Sequence, residues 1–177
     1  QIQHHYAHVL SVMAEYKLNK DVLAFIFDGT GYGDDGNIWG GEVFLASKTE
    51  YKRINHFKYF KLLGGEKAVL EPKRVALSLL FDSFSLGEVL NLEIACVKAF
   101  KESEIKMFHT MWQKDLNSPL TSSVGRLFDA VASFANILHI QSYEGETGLQ
   151  IEQYYDKTIT QSFTYEIIEG KIKISSM

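Results

Sequence analysis

Only one cysteine occurs among the 177 residues. Cys96 has no partner for an internal disulfide, which fits a reducing compartment such as the cytoplasm. It sits in an apolar run, IACVKAF (94–100), and reads as packing rather than as a nucleophile. No apolar run approaches the roughly 18 residues of a membrane span, and the first residues carry no signal-peptide pattern. Positive charge is outnumbered: 18 Lys+Arg stand against 22 Asp+Glu, a net charge of −4. That balance excludes a chain whose main task is holding nucleic acid or an anionic membrane. No Gly-Lys-Ser/Thr occurs, so there is no P-loop. No Gly-x-Ser-x-Gly occurs, so there is no hydrolase elbow. What the chain does have is 46% hydrophobic and 13% aromatic residues, enough for a core and too many for disorder.

The most informative stretch is 22–42, VLAFIFDGTGYGDDGNIWGGE. Six apolar residues, short and rich in β-formers, read as a buried strand that delivers Asp28 at its end. Glycines 29, 31, 33 and 36 follow, and are expected to take positive φ and bring backbone close to a ligand. Successive N–H groups of such a loop can form a nest for anionic oxygens. Asp28, Asp34, Asp35 and Glu42 lie in the same stretch and would repel a bare phosphate, so a metal or metal-bound phosphate is the more sensible guest. The plain alternative is a glycine-rich hairpin with solvated acids. Gly31-x-Gly33-x-x-Gly36 fits the dinucleotide fingerprint as a string, but a strand pattern follows it where that fingerprint needs a helix. The calcium-loop pattern fails because its twelfth position is Trp39.

Taken in order, residues 1–17 read as a helix with Ile2, Tyr6, Val9, Leu10, Met13 and Tyr16 on one face. His4 and His8, four apart, project from one side, a spacing that suits two imidazoles on one metal or plain surface decoration. The protease pattern His-Glu-x-x-His is absent, because His5 follows His4. Strands over 22–28, 38–47 and 51–60 make an antiparallel β-meander spanning 22–60. Residues 70–156 read as mainly helical, with helices over 73–83, 86–99, 102–115, 119–138 and 147–156. Pro72 suits a first-turn position. In the helix over 119–138, Ser122 or Ser123 is the expected cap. Val124, Leu127, Phe128, Val131, Phe134 and Leu138 form its expected buried stripe, and Arg126 and Asp129, three apart, lie on another side, the plain reading being an exposed ion pair. A hairpin over 162–175 ends the chain. The fold class is α/β, a short β-meander with packed helices. Neither end has a polar run-out, so the expectation is a single, incomplete piece of a longer protein.

QHHYAHVLSVMAE (3–15), FDGTGYGDDGNIWGGE (27–42), GGEKAVLEPKR (64–74), SSVGRLFDAVA (122–132) and SYEGE (142–146) occur in this order. Together they resemble the HypF family, the carbamoyltransferases of nickel–iron hydrogenase maturation, over nearly the whole chain. The resemblance implies part of a TsaD-like domain of the ASKHA type, in which a nucleotide lies between two α/β subdomains. It implies carbamoyl phosphate and ATP as substrates of the full enzyme, and carbamoyl adenylate as the donor to the C-terminal cysteine of HypE, the partner protein. It implies a divalent metal, iron or zinc, on His4, His8 and Asp28. Gly29, Thr30 and Gly31 match the turn that holds phosphates, Asp129 the acid on the ribose hydroxyls, and Gly145 the glycine turn beside the nucleoside. No catalytic residue is assigned.

Segments the family carries elsewhere, including an adenylate-forming domain and a last metal aspartate, have no match here. The expectation is therefore a piece inactive in isolation, dependent on the rest of its own chain, with sheet edges that invite self-association. A non-catalytic reading competes: a nucleotide- or metal-binding module that docks HypE. A relative acting on tRNA is disfavoured by Trp39-Gly40-Gly41-Glu42 and the negative charge.

Overall fold

The computed structural model describes residues 2–174. The expected helix start at residue 1 and hairpin end at 175 lie outside the described residues. The elements run α1 (His4–Glu15), β1 (Val22–Tyr32), β2 (Ile38–Ala46), β3 (Tyr51–Phe57), β4 (Phe60–Lys61), α2 (Lys67–Leu70) and α3 (Pro72–Ser83). They continue with α4 (Leu86–Leu90), α5 (Ala95–Lys98), α6 (Glu102–Gln113) and β5 (Leu120–Thr121). The last are α7 (Val124–Phe134), α8 (Glu146–Glu152), β6 (Tyr165–Ile168) and β7 (Lys171–Ile174). The described residues divide into two compact units, one of residues 2–59, 122–124 and 158–174, the other of 60–121 and 125–157. No helix among the described residues is long and apolar enough to cross a membrane.

In the first unit, β1, β2 and β3 form an antiparallel meander, and β7 adds to β3 in parallel and carries β6 antiparallel. The sheet is therefore mixed. No strand among the described residues pairs with the other edge of β1. Helix α1 lies on one face of the sheet. Its Tyr6, Val9 and Met13 pack with Ile26, Trp39, Phe44 and Ala46 in one buried cluster. Burying that apolar surface is what holds the helix to the sheet. The helix starts at Gln3, whose side chain accepts from the Tyr6 amide at 2.8 Å and donates to Tyr32 O at 3.0 Å. One residue thus caps α1 and ties its first turn to the far end of β1.

Strand β1 differs from the expectation. It does not stop at Asp28 but runs to Tyr32, so Gly29, Thr30 and Gly31 lie inside the strand. Of glycines 29, 31, 33 and 36, only Gly36 takes a positive φ. The turn is confined to 33–37, where the Gly33 amide donates to Asn37 O and the Gly36 amide to Gly33 O. The register explains the discrepancy. Phe27 pairs with Gly41 and Gly31 with Trp39, so Asp28, Gly29 and Thr30 face only Gly40. This bulge bends the strand and re-aims Asp28.

A buried charge network holds the hairpin. Glu42 is fully buried. It accepts from the Gly40 and Gly41 amides at 3.2 Å, from the Ser122 hydroxyl, and from Arg53 Nε at 2.5 Å. Arg53 also reaches Asp35 Oδ2 at 3.2 Å and the Tyr59 hydroxyl at 2.9 Å, with its guanidinium 4.0 Å over the Trp39 ring.

The second unit gathers helices α2 to α8 with the β4–β5 pair. The helix expected over 86–99 is two short ones. A Ser85–Glu88 capping box opens α4, and Asn91 Nδ2 closes it on Gly87 O at 2.9 Å. The helix expected from 119 begins at Val124, because Leu120–Thr121 form β5. The inward face of α7 is also not the expected apolar stripe. Arg126, Asp129, Ala130, Ala132 and Ser133 are buried, while Phe128 and Val131 are exposed. Spacing alone defined the stripe; polar partners within the unit decided which side went inward.

Asp35 gives the hairpin an acid-range signature. Partial burial alone would raise its carboxyl, but donors from Tyr59, the Asn37 amide and the Trp39 indole outweigh it and hold it at about 2. A depressed folded-state value means stabilisation that is complete above the ordinary 3.8 and is lost as pH falls toward 2. Melting temperatures measured across this window should fall less steeply in Asp35→Asn than in the native chain. Equal slopes would remove Asp35 from the account.

Candidate functional site

Helix α1 and the β1 bulge bring four side chains together. His4 Nε2 lies 3.1 Å from Asp28 Oδ2, His5 Nε2 3.4 Å and His8 Nε2 3.7 Å from the same oxygen. His4 Nε2 and His8 Nε2 are 3.2 Å apart. The other oxygen, Oδ1, accepts from the Gly29 amide at 2.7 Å. Partial burial would raise the Asp28 carboxyl, but the Gly29 amide and His4 outweigh it and hold it below its ordinary value. Asp28 is therefore a carboxylate at neutral pH. His4 and His8 are half-exposed, whereas His5 is 0% exposed. Burial pushes the His5 imidazole below its ordinary value, against the pull of Asp28, which favours its neutral form. His4, His5 and Asp28 each place a donor atom within 4.8 Å of the others. Imidazole nitrogens beside a carboxylate oxygen are donors that fit a divalent transition metal.

Close backbone approach makes the cluster possible. A Cβ on Gly31 would lie 2.4 Å from His5 Cε1 and 2.8 Å from His4 Cδ2. A Cβ on Gly40 would lie 2.5 Å from Asp28 O. The Ser123 hydroxyl donates to Asp28 O and Gly29 O at 2.7 and 2.8 Å, the carbonyls the bulge takes out of the ladder. Ser123 directly precedes α7, the position expected of its cap, and its hydroxyl serves the bulge, while the Ser122 hydroxyl serves Glu42. A groove of about 540 Å³ runs along α1 and β1, lined by His8, Val12, Leu18, Leu23, Phe25 and Asp28 among others.

Of the residues singled out in the sequence, His4, His8, Asp28, Gly29, Thr30 and Gly31 fall in the first unit. Asp129 and Gly145 fall in the second. There Asp129 is 0% and Arg126 2% exposed, so the pair expected on the surface is buried. Arg126 Nε lies 3.1 Å from Asp129 Oδ2, and the Thr147 hydroxyl donates to Oδ1 at 2.6 Å. Burial pushes the Asp129 carboxyl up to about 6, against the lowering pull of Arg126 and Thr147. Gly145 has φ +87 and precedes α8, a left-handed position that favours glycine.

The role of His5, the bond of Ser123 to the bulge and the burial of Glu42 carry no signal in the sequence pattern. His5 stood next to the helical pair and only its adjacency was used.

Residues 24–177 match the family described as "Carbamoyltransferase, Kae1-like Domain, second subdomain". The chain is 37% identical over 185 residues to Carbamoyltransferase HypF of Synechocystis sp., covering 97% of this chain and 24% of that protein. It is 36% identical to Probable carbamoyltransferase HypF of Methanocaldococcus jannaschii, covering 98% and 22%. It therefore spans about a quarter of the length of these relatives. A crystal structure of full-length HypF in the phosphate- and nucleotide-bound form superposes with a TM-score of 0.87 at 33% identity, over 98% of this chain and 22% of that one. The T. kodakarensis HypF crystal structure gives a TM-score of 0.79 at 33% identity, covering 97% and 23%. The bulged strand with its histidine-bearing helix thus sits in a known α/β frame, and the chain belongs to the HypF carbamoyltransferase family, within its Kae1-like domain.

Proposed function

We propose that this chain supplies the cation-holding part of a carbamoyl-transfer site. The observation that carries the reading is the meeting of His4, His8 and Asp28 at one carboxylate oxygen. Two imidazole nitrogens and a carboxylate oxygen suit Fe²⁺ or Zn²⁺. Such a cation, when bound, supplies a Lewis acid for phosphate oxygens and offsets charge that develops during transfer. Asp28 keeps Oδ1 on the Gly29 amide, which leaves Oδ2 for the cation. Gly29, Thr30 and Gly31 are the backbone that phosphates would approach.

In the whole reaction, carbamoyl phosphate loses its phosphate, with one water consumed, and its carbamoyl group takes the AMP of ATP as pyrophosphate leaves, giving carbamoyl adenylate. The C-terminal cysteine of HypE then attacks its carbonyl carbon. The new carbon–sulfur bond forms as the bond to the AMP oxygen breaks, and the thiol proton leaves to solvent. The thiocarbamate feeds cyanide-ligand synthesis for the hydrogenase. Asp129 is assigned to the ribose hydroxyls and Gly145 to the turn beside the nucleoside. This chain alone would not complete the transfer.

Elemental analysis of the purified chain should find near-stoichiometric iron or zinc, and His4→Ala/His8→Ala should lose it. Metal retained by the double variant would sink the ligand assignment. In a full-length HypF, Asp28→Ala is expected to abolish carbamoyl transfer while HypE still binds. Loss of both would favour a docking role instead. Burial holds the Asp129 carboxyl up at about 6, so the carboxylate, the stronger acceptor for ribose hydroxyls, predominates only above that pH. ATP affinity of the full-length protein, followed by calorimetry, should therefore weaken several-fold as pH drops from 7 to 5, and Asp129→Asn should be weak at both. Parallel profiles would refute the ribose role.

A further inference from the structure

His5 is the one group of the cluster that the proposed cation site does not use. Its side chain is 0% exposed, and neither ring nitrogen makes a hydrogen bond among the described residues. Leaving buried donors and acceptors unmet is costly, so such a group calls for a reason. Its surroundings leave it little freedom. The ring stacks on Trp39, with centroids 6.3 Å apart and planes 20° from parallel. Gly31 lies directly beneath, where any Cβ would collide with Cε1 and Nε2. Trp39 is itself fixed, its indole nitrogen donating to Asp35 at 2.9 Å and its face covered by Arg53. The ring is thus clamped with Nε2 3.4 Å from Asp28 Oδ2, in reach of it but not hydrogen-bonded in this geometry.

We infer that His5 is a positioning residue for Asp28, its Nε2–H holding Oδ2 from the buried side while His4 and His8 stand on the open side. The inference rests on the cation reading above. With Oδ1 on the Gly29 amide and Oδ2 backed by His5, the carboxylate cannot rotate when His4 turns from Oδ2 to a cation. Fixing a ligand through a neighbouring donor of this kind commonly changes metal affinity by about 10–100-fold. The stack on Trp39 further links the site to the Arg53–Glu42 network that fixes the hairpin.

Two readouts test this, one without metal. Nitrogen-15 imidazole NMR of the cation-free chain should show His5 as the Nε2–H tautomer; a bare Nε2 with the proton on Nδ1 overturns the inference. In the second, Co²⁺ is titrated and followed by its visible absorption. His5→Phe keeps a ring over Trp39 but removes both nitrogens, and should weaken Co²⁺ binding about 10–100-fold. His5→Gln returns a donor near the Nε2 position and should recover affinity to within several-fold. Unchanged affinity in His5→Phe, or equal weakening in both variants with matched melting temperatures, overturns the inference and reduces His5 to packing. Should His5→Phe fail to fold, the tautomer in the native chain decides. A native chain that has the Nε2–H tautomer yet binds no Co²⁺ defeats the cation reading while leaving the Asp28–His5 contact in place.

Discussion

The contact of the first turn of α1 with the bare backbone of Gly31 is the constraint on which the candidate site depends. Imidazole rings can lie against a strand only where no side chain intervenes. That approach sets the height of the helix above the sheet, and with it the reach of His4, His5 and His8 toward one carboxylate oxygen. The Tyr6–Val9–Met13 face supplies the apolar surface that holds the helix there. Gln3 fixes where its first turn begins. Packing and capping therefore act on the same few residues that carry the chemistry.

Asp28 owes its direction to a defect in the sheet. Three residues of β1 oppose one of β2, and the displaced carbonyls would be left without partners. Ser123 supplies them from a distant part of the sequence. Beside it, Ser122 and Arg53 neutralise and bond the buried Glu42. Breaking such a network leaves an uncompensated buried charge, which is far more costly than losing an exposed pair. The consecutive pair Ser122–Ser123 thus supports both the bulge and its neighbouring strand.

The second unit shows the same economy of polar burial. Arg126 and Asp129 sit on the inward side of α7 with Thr147 and Glu144 as partners. An amphipathic helix read from hydrophobicity alone would face the other way. The exposed Phe128 and Val131 are the consequence.

The sequence by itself determined the α/β class, the meander and the chemical types at issue. Hydrophobic period distinguishes helix from strand, and i, i+4 spacing puts His4 and His8 on one side of a helix whatever surrounds it. Its motif blocks also sufficed to indicate the family. Tertiary structure alone decided that β1 runs through the glycines to Tyr32, because strand extension is settled by pairing with β2 and not by local preference. It also decided which glycines are needed for close approach and which for a turn. Burial of His5, Glu42 and Asp129 belongs to the same class of facts. Whether a polar side chain goes inside depends on partners distant along the chain, and spacing within one helix or strand carries no record of them.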